Sequence, residues 1–360
     1  MSITYVALVL PVSVDGITVQ ANDISIFGTR AFVAYNAAGE AFAGAVLIID
    51  ITDPISPSVL QSIKFSGRDI HGIYYDNQSD EVIFGGASNP DIYNYRSFIG
   101  KINPSSPDIN QINDSIKSLP SYGLNSICEY NNSYYVSVGA KDGQLIQLDK
   151  NFNTISATDI SDIRSVTSFS GGTVALAGTT DQKKSEPNYG RLILNSSTIV
   201  PIGSFDSPER KAKVVTIRKG NSDIAFMAVS KEGLKVAKIE SKDSKDSKDS
   251  KGVVYSISKP EGKNSDTNSV TFDSNLLFEA DGEYGFRIYT VDNGLIDKIP
   301  EKADPENVIV FAGEHKMTGE LYQGQNYSAN EIRYSAGNGK NPGVLFVACG
   351  VGGLNIYTVN

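Results

Sequence analysis

Alternating apolar and polar positions recur in seven short segments along the chain. Each segment begins with a small or polar residue and then places apolar side chains at every second position, the period of a half-buried β-strand. These segments, which we name the A strands, are 21–28, 69–76, 124–131, 163–170, 212–219, 267–274 and 329–336. We align them on Ile24, Ile73, Ile127, Val166, Val215, Val270 and Ile332. The spacing is typical of propeller blades with loop insertions.

Three further segments follow each A strand in most units. The B strand is rich in small and β-branched residues, as in AFVAYN, and the C strand usually opens with glycine, as in GQLIQLD. A more polar fourth stretch completes the unit, and we assign VLQSIKFS, TISATDIS, IVPIGSFD and LIDKIPE to it. The increase in polarity from the inner segments to the fourth segment predicts a four-stranded blade with buried inner strands and an outer edge in water.

The seventh unit ends after its C strand, whereas residues 3–12 form a strand-like segment before the first unit. We therefore predict an all-β, seven-bladed β-propeller of four-stranded antiparallel blades, closed by the N-terminal strand in the last blade. Residues 1–360 would form this one domain, with a low-complexity loop at 241–251 and an insertion at about 301–328. A pair of β-sandwiches is the alternative, but the same strand order recurs seven times without a linker.

Composition narrows the possible partners. The formal net charge of −9 is unfavourable for binding phosphate backbones, so no nucleic-acid partner is predicted. The apolar N-terminal run is too short to span a bilayer, so no membrane span is predicted. The two cysteines, Cys128 and Cys349, fall in different blades and are predicted to be buried thiols rather than a disulfide.

Blade 1 carries a recognisable motif. Its sequence ANDISIFGTRAFVAYN, followed by GAVLIIDITDPISPSVLQSIKF, resembles the LVIVD-type propeller repeat, in which an apolar strand leads into Asp-x-Ser/Thr-x-Pro. Residues 285–291 and 353–359 are similar more weakly. The resemblance implies the propeller fold and an extracytoplasmic location (periplasmic, cell-surface or secreted), with any export signal absent from this chain.

The side chains at the starts of the A strands are predicted to surround the central funnel. They are Asn22, Arg68, His71, Asn125, Arg164, Lys213, Asn268 and Asn330. Asparagine both donates and accepts hydrogen bonds, so this ring suits a polar ligand. The alternative is that these asparagines cap turns and tie neighbouring blades together.

The loops between B and C strands open on the same face as the funnel and carry aromatic side chains. Together with the insertion before the last A strand, they supply Phe42, Tyr93, Tyr95, Tyr189, Tyr322 and Tyr327. Elaborated loops on one face of a rigid scaffold are a common location for binding sites. Their alternative role is to pack as lids on their own loops.

Catalytic motifs are absent: no Gly-x-Ser-x-Gly elbow, Walker loop or dinucleotide fingerprint occurs. We therefore expect a non-catalytic scaffold that binds a protein or glycan on the funnel face, and we predict no cofactor. The enzymatic alternative is a lactonase- or glycosidase-like propeller hydrolase with His71 and funnel carboxylates, to which calcium could bind. Its candidate acids are Asp23, Asp69, Glu129, Asp266, Glu279 and Glu331. A purely structural role within a larger complex is the third possibility.

Overall fold

The structure, a computed structural model, is a ring of seven four-stranded antiparallel sheets. It describes residues 1–178, 189–205, 212–220, 222–239, 254–261, 265–294, 296, 305–317, 321–322, 325–337 and 342–360. The A strand of each blade contacts the A strands of both neighbouring blades, so the A strands surround the axis. The predicted seven-bladed propeller is therefore confirmed, whereas the predicted low-complexity loop at 241–251 lies outside the described residues.

The three inner strands of every blade follow one another in the sequence. The A strands are Gln20–Phe27, Arg68–Asp76, Leu124–Tyr130, Ile163–Phe169, Lys213–Lys219, Ser269–Asp273 and Glu331–Ser335. The B strands are Arg30–Asn36, Glu81–Ser88, Ser133–Val138, Gly172–Ala177, Ser222–Ala228, Leu276–Ala280 and Gly343–Ala348. The C strands are Ala43–Asp50, Ser97–Ile102, Gln144–Leu148, Tyr189–Leu194, Leu234–Ile239, Gly285–Val291 and Leu354–Val359.

The fourth, outer strands are less regular. They are Ser58–Ser66, Lys117–Leu119, Thr154–Asp159, Thr198–Ser204, Val254–Ile257, Ile309–Lys316 and, in blade 7, Ile3–Val9. Helix α1 (Ile109–Ser115) precedes the outer strand of blade 2, and helix α2 (Pro305–Val308) precedes that of blade 6. Two short hairpins complete the described elements, Ser13–Val14 with Ile17–Thr18 and Leu321–Tyr322 with Gln325–Asn326.

The outer strand of blade 6 corrects one assignment from the sequence. Ile309–Lys316 pairs with the C strand Gly285–Val291, so the outer strand of blade 6 lies inside the predicted insertion, whereas most of LIDKIPE lies outside the described residues. Its residues Val310 and Phe311 face solvent, which explains why their apolar pattern did not distinguish the strand from a loop.

The ring closes where the sequence predicts. Ile3–Val9 pairs antiparallel with Leu354–Val359, and Ser2 exchanges two main-chain hydrogen bonds with Asn360. Ala21 of blade 1 also exchanges main-chain hydrogen bonds with Gly350 of blade 7. Blade 7 thus obtains its fourth strand from the start of the chain, which leaves no unpaired edge at its C strand.

The Asp-x-Thr-x-Pro motif of blade 1 forms the turn between its C and outer strands. The Asp50 carboxylate accepts the Thr52 N–H at 2.8 Å and the Thr52 hydroxyl at 2.6 Å. These hydrogen bonds lower the pKa of Asp50. The spacing of the two side chains is therefore the spacing of a local Asx turn.

Blade 5 differs from the sequence alignment by one residue. The A strands of blades 1 to 4 each contain a β-bulge near their start, but that of blade 5 pairs without interruption. The Val214 N–H donates to Ser165 Oγ of blade 4, as the Val166 N–H donates to Ser126 Oγ of blade 3. Val214, rather than the aligned Val215, is thus the equivalent of Val166, because blade 5 lacks the extra bulge residue.

Candidate functional site

All the predicted funnel residues except Arg68 lie two residues before the aligned apolar residue in the sequence. In blades 1 to 4 this position is the bulge residue, whose side chain leaves the alternating pattern of the strand. The side chains concerned are Asn22, His71, Asn125 and Arg164 in these blades, and Asn268 and Asn330 in blades 6 and 7. Lys213 of blade 5, where the bulge residue is absent, stands one position later in the structure and is equivalent to Asp23 and Glu331. The described part of the chain shows two different roles for these side chains.

Five of these side chains contact a main-chain carbonyl of the next blade. The four asparagine Nδ2 atoms donate across the blade interfaces: Asn22 to Ile70 O at 2.9 Å, Asn125 to Ile163 O at 3.1 Å, Asn268 to Ala329 O at 3.0 Å and Asn330 to Ala21 O at 3.1 Å. His71 Nδ1 lies 3.3 Å from Leu124 O, and because a carbonyl only accepts, this nitrogen carries the proton. We call these five contacts the interblade ladder. These contacts support the alternative interpretation, in which the five residues tie neighbouring blades together. Ligand binding by these residues stays a prediction.

Lys213 of blade 5 instead reaches across the funnel. Its Nζ lies 2.8 Å from Asp23 Oδ1 of blade 1 and also contacts Glu331 of blade 7. Burial lowers the pKa of Lys213, but the two carboxylates outweigh burial and raise it. Arg333 pairs with Glu331 as well, and Ser269 Oγ donates to Glu331 at 2.8 Å. This funnel cluster balances two cations against two carboxylates.

The funnel cluster bears on the enzymatic alternative. Asp23 and Glu331 come from different blades and converge, as a propeller hydrolase would require, but both are ion-paired. Asp69 lies outside this cluster and accepts the Ala37 and Ala43 N–H groups. Glu129 lines the same central cavity as Asp23 and Lys213, but it is ion-paired with Lys150 at 2.9 Å. Within the described ranges, no group of three His, Cys, Asp or Glu side chains could hold a metal ion.

Arg68 is not a funnel residue in this geometry. Its side chain is only 7% exposed, with Nη2 donating to Tyr95 Oη at 2.7 Å and Nη1 to Asn113 Oδ1 at 3.1 Å. The Tyr93 ring covers the guanidinium at 4.0 Å. Tyr93 and Tyr95 therefore pack as a lid on Arg68, the alternative role of the aromatic loop residues.

The remaining predicted aromatics are dispersed. Tyr189 begins the C strand of blade 4 and is about half exposed, whereas Tyr327 packs into the core between blades 6 and 7. The Tyr322 side chain lies outside the described residues, although its main chain forms a hairpin strand. Phe42, by contrast, lines a cavity on the funnel face.

Two cavities on the funnel face share Tyr122 as a lining residue. The first, of about 450 Å³, is lined by Tyr122, Asn125, Gly139, Ala140, Lys141, Asp142 and Arg164. The second, of about 380 Å³, is lined by Gly39, Glu40, Phe42, Asp69, Ala87, Ser88, Pro90, Arg96 and Tyr122. Tyr122 is 55% exposed, and the Arg96 guanidinium lies 5.2 Å from its ring centroid. We name the two cavities together the Tyr122 groove.

The groove combines predicted and unpredicted residues. Phe42, Asn125 and Arg164 were candidates from the sequence, whereas Tyr122, Arg96 and Lys141 were not. Tyr122 lies in the connection between the outer strand of blade 2 and the A strand of blade 3, which also opens on the funnel face. An aromatic residue in that connection is the available sequence signal, but a single tyrosine in a short loop is weak evidence for a site.

Arg164 is held beside the first cavity by an ion pair. Its Nη2 lies 2.6 Å from Asp162 Oδ1, and the side chain is mostly buried. Asp142, which lines the same cavity, accepts the Ser121 hydroxyl at 2.9 Å. Cationic, anionic, amide and aromatic groups thus border one concave surface, which suits a ligand with many hydroxyl groups.

Comparison with known proteins supports the fold alone. No protein-family model and no curated protein sequence matches the chain. Among solved structures, the chain is similar to the crystal structure of the computationally designed Ika8 protein, with a TM-score of 0.51 and 10% identity over 99% of this chain and 100% of that one. The LVIVD resemblance and the extracytoplasmic location therefore stay predictions. In the part of the chain that the structure describes, no helix has the length and apolar character needed to cross a bilayer.

Proposed function

We propose that this protein is a non-catalytic recognition scaffold that binds a glycan in the Tyr122 groove. The observation that carries the proposal is the position of Tyr122, an exposed ring that borders both cavities on the funnel face. An aromatic face packs well against the C–H groups of a sugar ring, while nearby polar side chains can bind its hydroxyl groups.

The shape of the groove favours a glycan over a protein partner. Stable protein interfaces bury about 800 Å² on each partner around a central apolar patch. Here the exposed aromatic ring lies between two concave, mixed polar and apolar cavities, each of which has the size of a small-ligand site. A short saccharide chain crossing Tyr122 would fill both.

A glycan array comparing the parent protein with Tyr122→Ala tests the proposal. We expect the substitution to weaken binding by about tenfold or more, which corresponds to about 1.4 kcal/mol, because the ring supplies the central contact. Tyr5→Ala is the matched control, since Tyr5 is similarly exposed but lies on the outer strand of blade 7. Absence of any glycan bound by the parent, or equal binding by Tyr122→Ala, would refute the proposal.

A further inference from the structure

Blade 6 buries a carboxyl group where the other blades bury apolar side chains. Glu279 pairs with Val270 of the A strand and with Arg287 of the C strand. The residues at the same register in the other blades are Val33, Phe84, Val136, Ala175, Met227 and Val347. Burying a carboxylate at this position destabilises the fold unless the group is paired or protonated. The surroundings of Glu279 must therefore compensate its charge or remove it.

In the part of the chain that the structure describes, a second carboxyl group and one cation lie beside Glu279. Arg287 Nη2 lies 2.9 Å from Glu279 Oε2, and Arg287 Nε lies 2.8 Å from Asp281 Oδ2. Tyr289 Oη donates to Glu279 Oε2 at 3.0 Å, and both acids are fully buried. If both acids were ionised, one guanidinium would have to balance two buried negative charges.

The contacts of Thr267 indicate that one of the two carboxyl groups is protonated. Its hydroxyl oxygen lies 3.0 Å from Glu279 Oε1 and 2.8 Å from Asp281 Oδ1. A hydroxyl has one proton, so it can donate to only one of these acids. The other contact is a hydrogen bond only if that carboxyl group donates to the threonine oxygen, and for this the carboxyl group must be protonated.

We propose that the folded protein binds one proton on the Glu279–Asp281 pair and that this proton stabilises the packing of blade 6 on blade 5. Thr267 links the pair to the neighbouring blade, because its main chain exchanges two hydrogen bonds with Ser230 of blade 5. Arg287 Nη1 donates to Ser258 O, just after the outer strand of blade 5, at 3.0 Å. The charge state of the pair therefore acts on groups that join the two blades.

The electrostatic surroundings support this assignment. Burial, followed by the charge of Asp281, raises the pKa of Glu279 to about 8, although Arg287 and the hydrogen bonds from Thr267 and Tyr289 oppose the rise. Burial likewise raises the pKa of Asp281 against the opposing effect of Arg287. Among the described residues, the charged and titratable groups that act on Glu279 are Asp281 and Arg287, with Tyr289 as a hydrogen-bond donor.

The direction of the pH effect follows from proton binding. Glu279 holds its proton more tightly in the folded chain than in the unfolded chain, where its pKa is near its ordinary value of 4.5. The stabilisation is complete below that value and is lost as the pH rises towards about 8. Over this interval the group lowers the ratio of folded to unfolded protein by up to about tenfold per pH unit.

Urea unfolding of the full chain between pH 5 and pH 9 tests the proposal, with Glu279→Gln as the main variant. The amide can donate to Thr267 as the protonated acid does, but it cannot ionise. We expect the variant to be as stable as the parent at pH 5 and increasingly more stable than the parent above pH 6. At pH 9 its folded-to-unfolded ratio should be at least about tenfold higher. Glu314→Gln is the control, because Glu314 is a partly exposed acid of the same blade whose pKa is lowered, and it should retain the parental pH dependence.

Infrared spectroscopy provides a second measurement that does not depend on stability. At pH 6.5 the folded parent should show the carbonyl band of a protonated carboxylic acid, and Glu279→Gln should lack it. The proposal is overturned if the parent lacks this band, or if the stability curves of parent and Glu279→Gln remain parallel from pH 5 to pH 9.

Discussion

Blades 1, 2, 3, 6 and 7 join their neighbours through one inner-strand position, and blades 4 and 5 depart from this pattern. In the five blades an asparagine or histidine contacts a carbonyl of the next blade. Blade 4 carries Arg164 at this position, whereas blade 5 lacks the bulge residue, so that Lys213 is equivalent to Asp23 and Glu331 instead. The uncharged side chains join neighbours, while Lys213 reaches across the funnel to blades 1 and 7 and Arg164 borders the first cavity. The uncharged polar residues that line the funnel are thus largely structural, whereas the charged residues Arg164 and Lys213 have other roles.

Among the variants that test this comparison, Lys213→Met should cause the largest loss of stability. The substitution leaves Asp23 without its cation and removes one of the two cations that hold Glu331. Loss of one partner from a buried ion pair typically costs 3–5 kcal/mol, and we expect about 3 kcal/mol because Lys213 is partly exposed. Urea unfolding measures the loss, and Lys238→Met, on the C strand of the same blade, should have little effect. An unchanged midpoint for Lys213→Met would show that the funnel cluster contributes no stability.

A smaller loss is expected for Asn125→Ala. The Asn125 amide donates to Gly139 O at 2.8 Å and to Ile163 O of the next blade. Removing these hydrogen bonds should destabilise the protein by about 1–2 kcal/mol, because both carbonyls lose their donor. Asn77→Ala, in an exposed turn of blade 2, is the control for general effects of the substitution. Equal midpoints for the two variants would count against a stabilising interblade ladder.

The ring itself could be predicted because every blade repeats the same alternation of buried and exposed residues. Closure could be predicted as well, since the seventh unit lacked an outer strand and residues 3–12 had no other partner. The outer strand of blade 6 was missed because Val310 and Phe311 face solvent, so burial does not shape their pattern.

The site was less predictable, because it depends on contacts between blades. A bulge adds one residue without changing the composition of a strand, so the sequence does not reveal that blade 5 lacks it. For this reason Val215 was aligned with Val166 instead of Val214. Asn125 and Asn268 were identified, but a sequence cannot show that their amides reach the next blade. Tyr122 was missed because one tyrosine in a short connection gives no periodic signal.

Arg164→Asn provides the most direct test of the claim that this position joins neighbouring blades. The substitution places in blade 4 the side chain that blades 1, 3, 6 and 7 use to reach the next blade. We expect Arg164→Asn to be more stable than Arg164→Ala by about 1 kcal/mol in urea unfolding, because both variants lose the ion pair with Asp162 but only asparagine can donate to the next blade. Equal stability of the two variants would contradict the claim.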